Sequence, residues 1–346
     1  MIDQKTNFKR LLDGECPEWI PNYSIMAPPK DSGLPPPAIM LLCPEFLSKH
    51  RTVGVGGIDP WGVNYVYSVE MNGATMPDTR TFILDDITKW RDVIKAPDIS
   101  GYDWKKIAKD NIENSGIDRS RTLLSFDLHF GYFQHLMSFM GFSEGLCAIY
   151  EEQEEVEALL NYICDFYIEI TEKLIDYYQP DVLSLKDDTA SLQAPFISPS
   201  LFTEILVPLY KRHAKFANDR GIPISFHNCG KSEKLIDELV EHVGIRLWDP
   251  AQTCNDLEAV KAKYGNKLVI AGGWDAKGRL LSDDASDEEI YESVRHSMVT
   301  LGKGGGYAFL GGFIPSPDPH VREVCARKNA VVQRAYEDLK YSVISG

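Results

Sequence analysis

His227 and Cys229 are the residues of this chain whose types and spacing point most directly to chemistry. They close an apolar, β-rich run over 222–226. Side chains alternate along a strand, so two residues set two apart face the same side. A neutral imidazole and a thiolate are preferred zinc ligands, and at this spacing both reach one ion if other groups complete the shell. A strand-end histidine bonded to backbone, beside a small buried cysteine, is the ordinary alternative. Cys254, Asp187, Asp188, Glu70 and Asp275 are the candidates for a further ligand. Cys254, on the loop after the next strand end, is grouped with His227 and Cys229 as the metal set. A small loop residue is its plain alternative. Asp187 and Asp188 are paired carboxylates that can hold a substrate hydroxyl or support a metal from outside its ligands, with helix capping as the alternative. His129 and Asp127 stand on the face that a neighbouring strand end would turn to the same pocket. Trp274 suits stacking on an aromatic ring, and Asp275 suits a substrate bond or a helix cap. His135, His213, His242 and His296 fall on predicted helices and read as surface or packing residues. The glycine-rich run 302–306 precedes a strand, not a helix, so it reads as a turn and not as a phosphate cradle.

These residues need elements to hold them at one end of a sheet. The pattern predicts a short helix and loop over 1–18, a first strand over 19–26, and a proline-rich loop over 27–37. Paired strands follow over 54–78. Strands are predicted over 122–127, 181–185, 222–226, 245–248, 267–271 and 307–310. Ser143 is a candidate N-cap, and helices are predicted over 153–178, 198–220, 231–242, 256–264, 287–301 and 321–341. Repeated strand-then-helix units imply parallel pairing. At 346 residues they suit a (β/α)8 TIM barrel, α/β in class, as a single domain over 1–346 with an N-terminal extension and long loops in its N-terminal half. Chemistry in such a barrel collects at the C-terminal ends of the strands, where Asp127, Asp187, Asp188, His227, Cys229, Asp249, Trp274 and Asp275 gather.

Composition narrows the class. Lys plus Arg is 36 against 51 Asp plus Glu, a formal net charge of −15. That balance opposes non-specific binding to nucleic acid or to an anionic membrane. No apolar run approaches the roughly 20 residues needed to span a bilayer. The polar N-terminus shows no signal peptide. Seven scattered cysteines without a Cys-x-x-Cys suit free thiols, and the expected compartment is the cytoplasm.

Five segments together carry a resemblance: Asp59-Pro60-Trp61-Gly62-Val63, Ile197-Ser198-Pro199, His227 through Gly230, Gly273-Trp274-Asp275, and Asp318-Pro319 after a glycine-rich strand. In this order and spacing the chain resembles the uroporphyrinogen decarboxylase superfamily of (β/α)8 proteins along nearly its whole length. Decarboxylases of that superfamily hold a polycarboxylate tetrapyrrole with an arginine-rich motif after the first strand. Here the matching stretch is 23–30, and no arginine stands between Arg10 and Arg51. The other branch holds zinc-containing methyltransferases of corrinoid-dependent systems, with His-x-Cys at this strand end and a further cysteine after the last glycine-rich strand. His227 and Cys229 match; the third position reads Gly311-Gly312-Phe313-Ile314-Pro315 and has no cysteine. The resemblance implies a Zn2+-dependent methyltransferase that moves a methyl group between a small methylated or methoxylated substrate and the corrinoid (cobalamin) of a partner protein, in an O-demethylation system. Asp187, Asp188 and His129 would orient the substrate, and Trp274, Asp275 and Asp127 would contact it. A homodimer is compatible with this reading. A porphyrinogen decarboxylase and a non-catalytic tetrapyrrole-binding protein are the alternatives.

Overall fold

The structure is a computed structural model that describes residues 2–24, 37–52, 54–67, 75–128, 131–313 and 318–344. Seven parallel strands form one sheet: β1 (Ile39–Leu42), β5 (Leu123–Asp127), β6 (Val182–Lys186), β7 (Ile224–His227), β8 (Ile245–Ala251), β9 (Val269–Gly273) and β10 (Tyr307–Leu310), in the order β1-β5-β6-β7-β8-β9-β10. An eighth stave lies beside β10. Tyr23 N donates to Phe309 O at 2.7 Å, and Phe309 N donates to Pro21 O at 2.9 Å. With helices between the strands, this is a TIM-barrel-like α/β fold. Among the described residues the predicted first strand is a single bridge at Asn22; residues 25–26 and the predicted proline-rich loop up to 36 lie outside them. β1 was not foreseen, because its four residues follow directly on the proline-rich stretch. The paired strands predicted over 54–78 are a separate three-stranded antiparallel sheet, β2 (Gly57–Ile58), β3 (Asn64–Tyr67) and β4 (Thr75–Pro77).

Strand alternation sorts the side chains into two cores. Leu123, Val182, Leu247, Val269, Ala271 and Ala308 face inward with Tyr23 and Ile39, and Phe8, Leu11 and Leu12 of the helix Gln4–Leu12 pack into the same cluster. Phe126, Leu183, Leu185, Phe226, Trp248 and Ile270 face outward onto the helices. Each fully buried side chain of this size is worth about 1.5–3 kcal/mol of transfer free energy. The longest helix, Gln153–Tyr178, buries Val156, Leu159, Leu160, Ile163, Cys164, Tyr167, Ile170 and Leu174 at a helical period. Ser143 is not an N-cap: it lies inside the helix Phe142–Glu151, which starts after Gly141 at φ 87°. Ahead of it stands Tyr132–Met140, a helix buried on most sides, which carries His135 as expected. Among the described residues no helix is long and apolar enough to cross a membrane.

Candidate metal centre

The inward face turns polar at its C-terminal end. Counting by twos from the inner core residues Leu123, Val182 and Leu247 brings Asp127, Lys186 and Asp249 onto that face, and Ser225 leads likewise to His227. Lys186, His227 and Asp249 form one register row across β6, β7 and β8. Cys229 and Asp188 follow on the loops just above.

Three donors converge there. One ligand atom each from Asp188, His227 and Cys229 lies within 4.8 Å of the others. His227 Nε2 is 3.5 Å from Cys229 Sγ and 4.0 Å from Asp188 Oδ1. Behind the imidazole, Nδ1 is 2.9 Å from Asp249 Oδ2. Asp188 is itself held: Oδ1 accepts from Cys229 N at 2.9 Å and Oδ2 from Gln134 Nε2 at 3.0 Å.

The residues between the donors set this geometry. Asn228 is fully buried; its amide donates to Thr189 Oγ1 at 2.8 Å, and its backbone N–H donates to Asp249 O at 2.8 Å. That ties the β7 end to its neighbours on both sides. Gly230 has φ +87°, and a Cβ there would stand 2.4 Å from Ala190 O and 2.6 Å from Ser191 O. Only glycine lets the chain turn there and leave Cys229 beside Asp188.

Burial opposes charge on His227, but the Asp249 carboxylate outweighs it and holds the imidazole well above its ordinary pKa. Burial pushes the Cys229 thiol up. One nitrogen, one sulfur and one carboxylate oxygen, with a second carboxylate bonded behind the histidine, fit zinc. They do not fit calcium or magnesium, which take oxygen donors alone.

Three expected residues are placed differently: Asp188, expected to orient substrate, stands with the convergent donors, while Asp187 and Cys254 stand apart from them. Asp187, expected to orient substrate, is fully buried and turned away from the three donors. Its carboxylate accepts from Phe133 N at 2.7 Å, Gln134 N at 3.0 Å and Tyr210 Oη at 2.7 Å, so it caps the helix Tyr132–Met140. Burial pushes its pKa up to about 7 against the pull of those donors. Cys254, expected to ligate, is not among the three convergent donors. It lines a neighbouring cavity instead.

That cavity has a volume of about 760 Å³ and opens beside β8, β9 and β10, with Trp274, Phe313 and Leu310 on its walls and Gln252, Asp275 and Lys277 among its polar groups. Trp274 packs edge-on to Phe313 with ring centroids 5.5 Å apart and donates through Nε1 to Ser293 Oγ at 2.9 Å. Asp275 Oδ2 accepts from Thr253 N at 2.7 Å and Thr253 Oγ1 at 2.6 Å. Gln252 links this wall to the metal loop by accepting from Gly230 N at 2.6 Å. Asp127 lies 3.7 Å from Lys186 Nζ. His129 and Glu70 lie outside the described residues. Gln134 and Lys186 were given no role from sequence, and Asn228 entered only as part of the motif from His227 through Gly230. Only Lys186 left a signal, as a lone cation ending an apolar strand.

A family model described as uroporphyrinogen decarboxylase (URO-D) matches residues 130–324, more than half of the chain. No curated protein sequence matches it. Among solved structures, a methyltransferase from Methanosarcina mazei is similar over 98% of this chain and 99% of that chain, with a TM-score of 0.60 at 14% identity. At that identity the likeness speaks to the fold alone. The YdjI aldolase from Escherichia coli K12 gives a TM-score of 0.30 at 12% identity, over 70% of this chain and 76% of that chain, too low to bear on the fold.

Proposed function

The chain belongs to the uroporphyrinogen decarboxylase (URO-D) family, and from that premise we propose that it is a zinc-dependent methyltransferase. Its substrate on this reading is a small methylated or methoxylated compound, and its methyl acceptor is the corrinoid of a partner protein. The observation that carries the reading is the convergence of Asp188, His227 and Cys229 within 4.8 Å. The methyltransferase from Methanosarcina mazei has the same fold. The decarboxylase reading is weaker. A polycarboxylate needs bidentate arginines, and none stands between Arg10 and Arg51.

Asp188, His227 and Cys229 would hold the zinc, which would supply Lewis acidity toward the oxygen that parts from the methyl group. The protein's own residues prepare the place. Asp249 accepts from Nδ1 of His227 and so turns Nε2 toward Cys229 and Asp188, where it would give up its proton to take the metal. Gln134 and the Cys229 N–H fix both oxygens of Asp188. Trp274 and Phe313 offer an apolar wall for the body of a substrate. The acidic surface suits a protein partner better than a nucleic acid. The cytoplasm is the proposed compartment.

The test uses the zinc-loaded protein, Co(I) cobalamin as acceptor and a panel of methyl ethers. The expected result is methyl-cobalamin, seen in the visible spectrum, lost in Cys229→Ala. Carbon dioxide release from uroporphyrinogen without cobalamin methylation would establish the decarboxylase instead.

A further inference from the structure

We propose that Lys186 and Asp127 form a second polar subsite in the barrel mouth, one that reads a hydroxyl group on the substrate. This rests on the reading of the neighbouring donors as a methyl-ether site. Lys186 ends β6 on the inward face, in the register row of His227. Its side chain is only 16% exposed, and that of Asp127 only 4%. Lys186 Nζ stands 3.7 Å from Asp127 Oδ2, beyond hydrogen-bond length. No described residue accepts a hydrogen bond from Nζ. An ammonium carries three donors, and the ion pair with Asp127 engages its charge without using them as hydrogen bonds. The arrangement therefore has donor capacity to spare, with an acceptor beside it.

The geometry selects the ligand group. A bare carboxylate would meet the Asp127 charge, and an ether oxygen would use only the lysine. A hydroxyl satisfies both, accepting from Nζ and donating to a carboxylate oxygen, which takes more than one hydrogen bond. The approach is also restricted. The void bounded by Asp127, Ser184, Lys186, Tyr132, Tyr210 and His213 measures about 10 Å³, room for one water at most. The substrate hydroxyl enters from the mouth, beside the donors on β7. The substrate class is then a hydroxylated methyl ether, and 3-methoxyphenol is the probe that carries both groups.

Calorimetric titration of the zinc-loaded protein with 3-methoxyphenol, anisole, phenol and 3-methoxybenzoate tests this. Wild type should bind 3-methoxyphenol roughly ten-fold more tightly than anisole, as one charge-assisted hydrogen bond provides. Lys186→Met and Asp127→Asn should each bring the ratio to within about two-fold, with zinc content unchanged. Equal binding in wild type, discrimination that survives both substitutions, or tightest binding of 3-methoxybenzoate overturns the subsite. Lys186-dependent phenol binding, with no methyl passing from 3-methoxyphenol to Co(I) cobalamin, removes the methyl-ether reading and leaves the subsite. Methyl transfer indifferent to Lys186 does the reverse.

Discussion

His227 and Asp249 occupy one register row of adjacent parallel strands, and their Nδ1 and Oδ2 atoms lie 2.9 Å apart. The pairing fixes which imidazole nitrogen faces Cys229. Asp249→Asn keeps the shape and removes the charge. Removing such a partner weakens metal binding by about 10–100-fold. Competition for zinc against a chromophoric chelator measures it, and an unchanged affinity would show that the carboxylate does not orient the ring.

Asp188 and Cys254 give opposite expectations. Asp188→Ala removes one of three convergent donors and is expected to bring zinc content well below one equivalent. Cys254→Ala should retain a full equivalent, because its thiol lies on the cavity wall. Elemental analysis of both variants decides it; loss of zinc in Cys254→Ala would return the cysteine to the ligand set.

Asp187→Ala should lower stability and leave the metal in place. It deletes the acceptor of three hydrogen bonds at a helix start, two of them buried. A cost of about 2–4 kcal/mol is expected for a lost cap plus a stranded hydroxyl, read from the urea midpoint. A fall in zinc stoichiometry of the folded protein at undiminished stability would place Asp187 in the site.

The strand ends were legible because alternation is local. His227 and Cys229 share a face by spacing alone, and Gln153–Tyr178 declared itself by period. What escaped depends on neighbours remote in sequence. Asp187 and Asp188 are adjacent in the chain, yet one caps the helix of Tyr132 and the other meets Cys229, 41 residues on. Their division of labour is set by which strand follows β6 in the sheet. Lys186 acquires its meaning only once Asp127 stands opposite it. Cys254 misled because position after a strand end gives the correct end of the barrel without giving distance.

Acid should expose His213. Its ring nitrogens bond Tyr132 Oη at 3.1 Å and Thr171 Oγ1 at 2.6 Å, and burial pulls its pKa from 6.5 to about 3. A lowered histidine stabilises the fold above the unfolded value and loses that contribution as pH falls toward the folded one. Asp59, pushed up to about 6 by burial, has the opposite sign, so the comparison must be with a variant. Relative to His213→Gln, wild type should lose about 1.4 kcal/mol per pH unit between pH ~6 and ~4. Urea midpoints across that range measure the gap, and a gap independent of pH contradicts it.

The central claim is that Asp188, His227 and Cys229 hold a metal. Zinc analysis of the purified protein beside Cys229→Ala tests it most directly. One zinc per chain is expected in wild type and markedly less in the variant at equal folding. A wild-type protein that takes up no zinc when reduced and supplied with it, or a variant that keeps it fully, would contradict the claim.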